Sequence, residues 1–230
     1  MMRQAEKLTA IGLLAGGIAH ELNNPLGNII GYATLLLQDT QSISGPRHRE
    51  KLEIIVEQAK KASAIIKGLL DFARQSVPSF SRVPLNEIVS KTIRTLQNKI
   101  KSQQIEIEID LAPKSFIRAD PLQLELVVLN LLLNSVQAFE GINGKDKTIL
   151  IKAFRDNDYV QIRIADNGPG IPEEILPGIF DPFFTTKPIG KGVGLGLSIC
   201  SGIIREHKGS IRVNSEIGKG TEFIFMLPAA

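Results

Sequence analysis

The sequence predicts a chain in two parts: an α-helical hairpin that pairs with a second copy into a dimeric four-helix bundle, then an α/β two-layer sandwich. Three observations predict it. Apolar residues in the first third recur at alternating steps of three and four. A stretch rich in serine and proline, Ser76 to Pro84, interrupts that period. Beyond it, segments alternating with period two are interleaved with apolar helical ones. At 230 residues, two modest domains fit better than one large core. The expected divisions are a hairpin over 1–77, a hinge linker over 78–83 and an α/β domain over 84–230.

The hairpin follows from its seam. Leu8, Ile11, Ala15, Ile18, Leu22, Pro25, Ile29, Ala33 and Leu36 lie on one stripe of a first helix, and Leu52, Ile55, Ala59, Ala62, Ile66, Leu69 and Ala73 on one stripe of a second. Between them, 39–46 is rich in Ser, Gly and Pro, and so short a connection makes the helices antiparallel neighbours. Further apolar residues beside the seam, Leu14, Leu35, Ile54, Ile65 and Leu70, are what a dimer would cover. In the second part, Leu85 to Ser102 reads as a helix, Gln104 to Leu111 as an alternating strand, and Asp120-Pro121 as the start of an apolar helix ending near Phe139. Strands are expected over Thr148 to Phe154 and Tyr159 to Ala165, turning at Asp156-Asn157-Asp158. A Gly/Pro-rich stretch from Asp166 to Gly196 leads into a helix ending near His207, and strands Ser210 to Ser215 and Glu222 to Leu227 flank Gly218-Lys219-Gly220.

Composition narrows the function classes. Hydrophobic residues at 43% and charged residues at 22% describe a folded globular chain. A net charge of +3 is too small an excess to indicate nucleic acid. The lone Cys200 excludes an intrachain disulfide and paired CxxC zinc sites. The apolar run Leu8 to Ala19 is too short to span a bilayer and leads into His20-Glu21-Leu22-Asn23-Asn24, so no membrane segment is expected in this chain.

Two constellations carry chemistry. His20 falls at heptad position f, farthest from the seam, with Glu21 beside it and Asn24 one turn on. A largely neutral imidazole is a competent nucleophile, the carboxylate can take or orient its ring proton, and Asn24 can position a water. Pro25 should bend the helix just after this cluster. Viewed alone, a surface His beside Glu is ordinary solvated decoration; the rest of the chain makes it more.

The second constellation comprises Asn130 to Ala138 (NLLLNSVQA), Asp166 to Gly170 (DNGPG), Phe180 to Lys187 (FDPFFTTK), Gly192 to Leu197 (GVGLGL) and Gly218 to Phe223 (GKGTEF). No P-loop accompanies them. Asn130 and Asn134 share a helix face, and amide oxygens suit Mg²⁺ beside substrate phosphates. Asp166 ends a strand, where its carboxylate can accept from an adenine amino group, while Gly168 and Gly170 let backbone approach the base. Gly192, Gly194 and Gly196 lead into a helix whose amides can face phosphate, and Lys187 and Lys191 can reach its oxygens. The three phenylalanines read as anchors for a mobile loop, Cys200 as core, and His207 as a helix-closing residue favoured by the dipole.

In these residues the chain resembles the sensor histidine kinases of two-component signalling, over nearly its whole length. Leu14 to Leu26 (LAGGIAHELNNPL) is similar to the phospho-acceptor box of the nitrogen-regulation-sensor subfamily, and the later motifs to the asparagine, phenylalanine and glycine boxes. The resemblance implies a sandwich of the histidine kinase, gyrase and chaperone ATPase type. It also implies that His20 is phosphorylated from ATP, that Glu21 is its acid–base partner and that Asn24 serves dephosphorylation of the partner. Asn134 would then ligate Mg²⁺ with Asn130 assisting, Asp166 read adenine, and Thr221 support it through water. The implied partners are a second copy and the receiver domain of a separate response regulator, in a cytoplasmic protein or the cytoplasmic portion of a longer sensor. Ser135 departs from the usual alanine, and Gln137 from the lysine of some subfamilies. The alternative, an ATP-hydrolysing switch like the chaperone and gyrase ATPases, lacks its base: those relatives place a glutamate where Asn130 stands. A non-catalytic nucleotide-binding scaffold is the third reading.

Overall fold

The computed structural model describes residues 24–36, 50–59, 62, 78–112, 116–142, 144, 146–187 and 194–230. The chain divides into two compact units, Met1–Gln75 with Thr185–Val193, and Ser76–Phe184 with Gly194–Ala230.

In the first unit, helices α1 (24–36) and α2 (50–59) are the described parts of the hairpin. On α1 the predicted seam faces inward: Pro25 is buried, and Ile29, Ala33 and Leu36 are half-buried, whereas Leu26, Ile30 and Leu35 are exposed. On α2 the frame differs from the prediction. Leu52 and Ala59 are exposed, while Ile54, Ile55 and Gln58 are half-buried and Ala62 is buried. Leu52, Ile54, Ile55 and Val56 cover more than one face of a helix, so the period alone fits two frames and packing selects between them. The seam residues Leu8 to Leu22 and Ile66 to Ala73 lie outside the described residues.

The second unit is a five-stranded sheet with helices on one face. Its strands are β2 (Ile105–Leu111), β4 (Lys147–Asp156), β5 (Tyr159–Asp166), β6 (Ser210–Glu216) and β7 (Gly220–Pro228), in the order β2-β4-β5-β7-β6. Only β2–β4 is parallel; the helical crossover between them supplies the length that parallel pairing needs. The other pairs are antiparallel. Across them Ile151, Ile164, Phe223 and Val213 stand in register on the inner face. Against that face pack α3 (Leu85–Ser102), α4 (Pro121–Ala138) and α5 (Gly196–Glu206), burying Leu124, Val127, Leu131, Ile199 and Ile203. The outer face mixes buried Gln161 and Ile224 with half-buried charged pairs such as Arg163–Glu222 at 3.5 Å. No helix among the described residues is long and apolar enough to cross a membrane.

Local signals place the ends of these elements. Asp120 caps α4, its Oδ1 accepting from Leu122 N–H at 2.9 Å and Gln123 N–H at 3.0 Å, with Pro121 opening the helix. At the β4–β5 turn Asn157 takes φ 55, a left-handed conformation asparagine tolerates. Three short elements were not predicted: β1 (Ser81–Pro84), β3 (Phe116–Ala119) and a 3₁₀ turn at Glu173–Gly178. Strands of four residues are too short for alternation to register, and β1 is written in the Ser/Pro-rich stretch expected as linker.

That stretch is bonded to the α/β unit. β1 pairs antiparallel with β3, Ser79 N–H donates to Asp120 Oδ2 at 2.8 Å, and the Phe80 ring meets His207 edge-on at 4.9 Å between centroids. A hinge across 78–83 would have to break these contacts. His207, the C-cap of α5, is 2% exposed, and its Nε2 accepts from Asp120 N–H at 3.0 Å while Nδ1 lies 2.9 Å from the Ile203 carbonyl. In this arrangement the ring carries one proton, on Nδ1. It closes the helix by hydrogen bonding and not by the charge–dipole attraction expected for it.

Candidate nucleotide site

Helix α4 is the spine of the site. Asn130 and Asn134 sit one turn apart on it, both half-buried. Asn130 Nδ2 donates to the Leu126 carbonyl at 3.1 Å, which turns Oδ1 towards α5: a Cβ on Gly196 would lie 3.2 Å from it. At the other end of the helix, a Cβ on Gly168 would lie 3.3 Å from Ala138 Cβ. The asparagine helix, the loop after Asp166 and the start of α5 thus converge. α5 begins with no side-chain cap on its first amides, which leaves a helix N-terminus able to receive an anion.

Asp166, 8% exposed, closes β5 opposite Thr221 in the β5–β7 register, so both side chains project from the same face of the sheet. Its Oδ1 accepts from Gly168 N–H at 3.0 Å. Thr221 is itself 7% exposed. Around it runs a network absent from the sequence reading. Ser215 Oγ accepts from Ile171 N–H at 2.8 Å, donates to the Gly220 carbonyl at 2.9 Å and lies 2.9 Å from Thr221 Oγ1. Ser215 carried no signal of its own; it is one inward residue of an alternating strand.

Three of these glycines also stand where the chain approaches itself. A Cβ on Gly170 (φ +77) would lie 2.1 Å from the Glu216 carbonyl oxygen, and one on Gly194 (φ +73) 2.4 Å from the Phe183 carbonyl carbon. Gly220, at φ +112, would place one 1.9 Å from the Asp166 carbonyl oxygen. These approaches are between loops of the protein, so Gly170 and Gly194 are required for assembling the walls before any ligand enters. The Gly218 N–H to Pro169 carbonyl bond, 2.8 Å, ties the same loops together.

His20, Glu21, Lys191 and Gly192 lie outside the described residues. Asn24 is exposed at the start of the described part of α1. Lys187 groups with the first unit and its N–H donates to Thr185 Oγ1 at 3.2 Å. Among the described residues no three His, Cys, Asp or Glu side chains cluster as a metal site. The donor set that remains, two amides on one face, suits Mg²⁺ arriving with phosphate oxygens better than a resident metal. Cys200 is fully buried between α5 and α4, with Sγ 3.8 Å from the Val127 carbonyl, and burial pushes its thiol up to about 12.

Residues 119–230 match the family described as histidine kinase-, DNA gyrase B- and HSP90-like ATPase, and residues 10–77 the His Kinase A (phospho-acceptor) domain. The chain is 39% identical over 99% of its length to the signal transduction histidine-protein kinase AtoS of Escherichia coli (strain K12), covering 36% of that protein. Among solved structures, the catalytic domain of histidine kinase ThkA superposes with a TM-score of 0.58 at 33% identity, over 65% of this chain and 95% of that one. ThkA in complex with response regulator protein TrrA gives a TM-score of 0.74 at 28% identity, over 100% of this chain and 65% of that one. The chain spans about a quarter to a half of the length of the curated relatives it matches. The matches do not single out the nitrogen-regulation subfamily.

Proposed function

The chain belongs to the sensor histidine kinases, and on that premise we propose that it phosphorylates His20 from ATP and passes the phosphoryl group to an aspartate of a separate response regulator. The observation that carries this reading is the α4 site. Asn130 and Asn134 offer amides where Gly196 opens α5, and Asp166 and Thr221 face one another at the strand end. Asn130 also stands where a hydrolytic site would need a base; an amide cannot activate water. That favours transfer over hydrolysis.

In the proposed step the terminal P–O bond of ATP breaks, ADP keeps the bridging oxygen, and a P–N bond forms to the imidazole of His20. Glu21 takes the ring proton. Asn130 and Asn134 would hold Mg²⁺, which when bound neutralises phosphate charge; the uncapped amides of α5 face the same charge. The ATP-binding unit contributes positioning and electrostatics and no covalent chemistry. Lys187 and Lys191 remain candidates for phosphate contact. Asn24 would orient water for removing phosphate from the regulator.

A homodimer fits the exposed Leu26, Ile30, Leu35, Leu52 and Val56 of the two hairpin helices. A cytoplasmic setting suits an ATP-dependent kinase. The bonds of Ser79 to Pro84 to the α/β unit support a pivot before Ser79 that lets this unit approach His20 and retreat. With γ-labelled ATP, the full chain should gain acid-labile, alkali-stable label, and His20→Gln should gain none. Equal labelling of both would sink the assignment, and no transfer to any response regulator of the source organism would remove the second half.

A further inference from the structure

We propose that Ser215 is a positioning residue for base selection: it locks the Thr221 hydroxyl as a hydrogen-bond acceptor and so biases the site towards adenine over guanine. This rests on the reading of Asp166 and Thr221 as the adenine edge.

The argument is a count of protons. A serine hydroxyl has one proton and two lone pairs. The Gly220 carbonyl, 2.9 Å from Ser215 Oγ, can only accept, so it takes that proton. The Ile171 N–H, at 2.8 Å, can only donate and occupies one lone pair. The third neighbour, Thr221 Oγ1 at 2.9 Å, therefore donates its own proton to the remaining lone pair. Ser215 is then saturated. Thr221 is left with lone pairs and no proton, and it is 7% exposed, too enclosed for bulk water to reset its rotor freely.

Its neighbour in register, Asp166, accepts too, already taking the Gly168 N–H at 3.0 Å. An edge of acceptors favours a base that presents donors. The 6-amino group of adenine does so, whereas the 6-oxo group of guanine sets lone pair against lone pair. Remove the Ser215 hydroxyl and Thr221 can turn its proton outward, satisfying the 6-oxo group directly or through water. The same hydroxyl ties the loop at Ile171 to the β6–β7 hairpin, so the geometry of the edge and its polarity have one origin.

The test is calorimetric titration of the full chain with ATP and with GTP, each with Mg²⁺. Ser215→Ala should narrow the ATP-over-GTP preference by about tenfold, the effect of one neutral hydrogen bond gained or lost. Ser215→Thr, which keeps a hydroxyl, should restore it. In a Thr221→Val background Ser215→Ala should no longer change the ratio, because the rotor it controls is gone. Equal weakening of both nucleotides in Ser215→Ala, or a ratio change that persists with Val at 221, would show that the serine only holds the loop. Should Ser215→Ala fail to fold, Ser215→Cys, with its weak donor, carries the same comparison. The underlying site reading is tested apart from this by Asp166→Asn: ATP binding as tight as in the parent chain would overturn that reading, whatever Ser215 does.

Discussion

Two glycines two residues apart provide a sharp test of how the site is held together. A Cβ on Gly220 would lie 1.9 Å from the Asp166 carbonyl oxygen, 2.8 Å from its carbon and 2.9 Å from Asn167 Cα, at φ +112. Relief to an ordinary contact requires the start of β7 and the end of β5 to part by more than about 1 Å, and both are backbone in a paired ladder. Overpacking of that kind costs about 1–3 kcal/mol and the left-handed φ about 1–2 kcal/mol, so Gly220→Ala should destabilise by about 2–5 kcal/mol. Gly218→Ala shares the positive φ, at +80, but meets nothing within 4 Å, and should cost only about 1 kcal/mol. At about 2–4 °C per kcal/mol for a unit of this size, calorimetry should show a fall of roughly 5–20 °C for the first and a few degrees for the second. Since the clash is with the residue proposed to read adenine, ATP affinity should fall with Gly220→Ala more than with Gly218→Ala. Equal melting temperatures for the two variants would refute the close approach.

Other outcomes follow from single buried groups. Ser135 on α4 is 1% exposed and its hydroxyl has no partner among the described residues. Ser135→Ala should therefore stabilise by about 1 kcal/mol, seen as a higher melting temperature, since removing an unsatisfied hydroxyl also improves helix propensity; a lower one would mean the hydroxyl has a partner. Cys200, with its thiol raised to about 12 by burial, should stay protonated and resist thiol reagents at pH 8, reacting only as fast as the fold opens. The sign is that of a neutral form favoured by folding: its contribution is full below pH 9.0 and is lost as pH rises from there to about 12. Rapid labelling of the native chain at pH 8 would contradict this.

The boundaries of α3, α4 and α5 and of β2, β4, β5, β6 and β7 were legible to within a few residues, because each rests on local information. Asp120-Pro121 is a cap whatever surrounds it, Asn157 accepts a left-handed turn in any hairpin, and a buried face writes its period into neighbouring residues. Family membership was legible for a related reason. Asn130, Asn134, Asp166 and the glycine boxes keep their order and spacing however the chain folds around them.

What only the tertiary structure decided involves partners distant in sequence. Ser79 meets Asp120 and Phe80 meets His207, which makes a stretch that reads as linker part of the α/β unit. The α2 stripe had two compatible frames, and packing chose one. Gly170, which reads as letting backbone approach the base, and Gly194, which reads as part of a phosphate-facing segment, are also where Glu216 and Phe183 press close. Ser215 is unremarked in the sequence because a hydroxyl's role depends on which donors and acceptors surround it. By itself the sequence determined the two-part order, a helical segment similar to the His Kinase A domain followed by an ATPase-like sandwich; the fold decided which atoms of that sandwich face one another, because hydrogen-bond direction and steric exclusion exist only between groups that folding brings together.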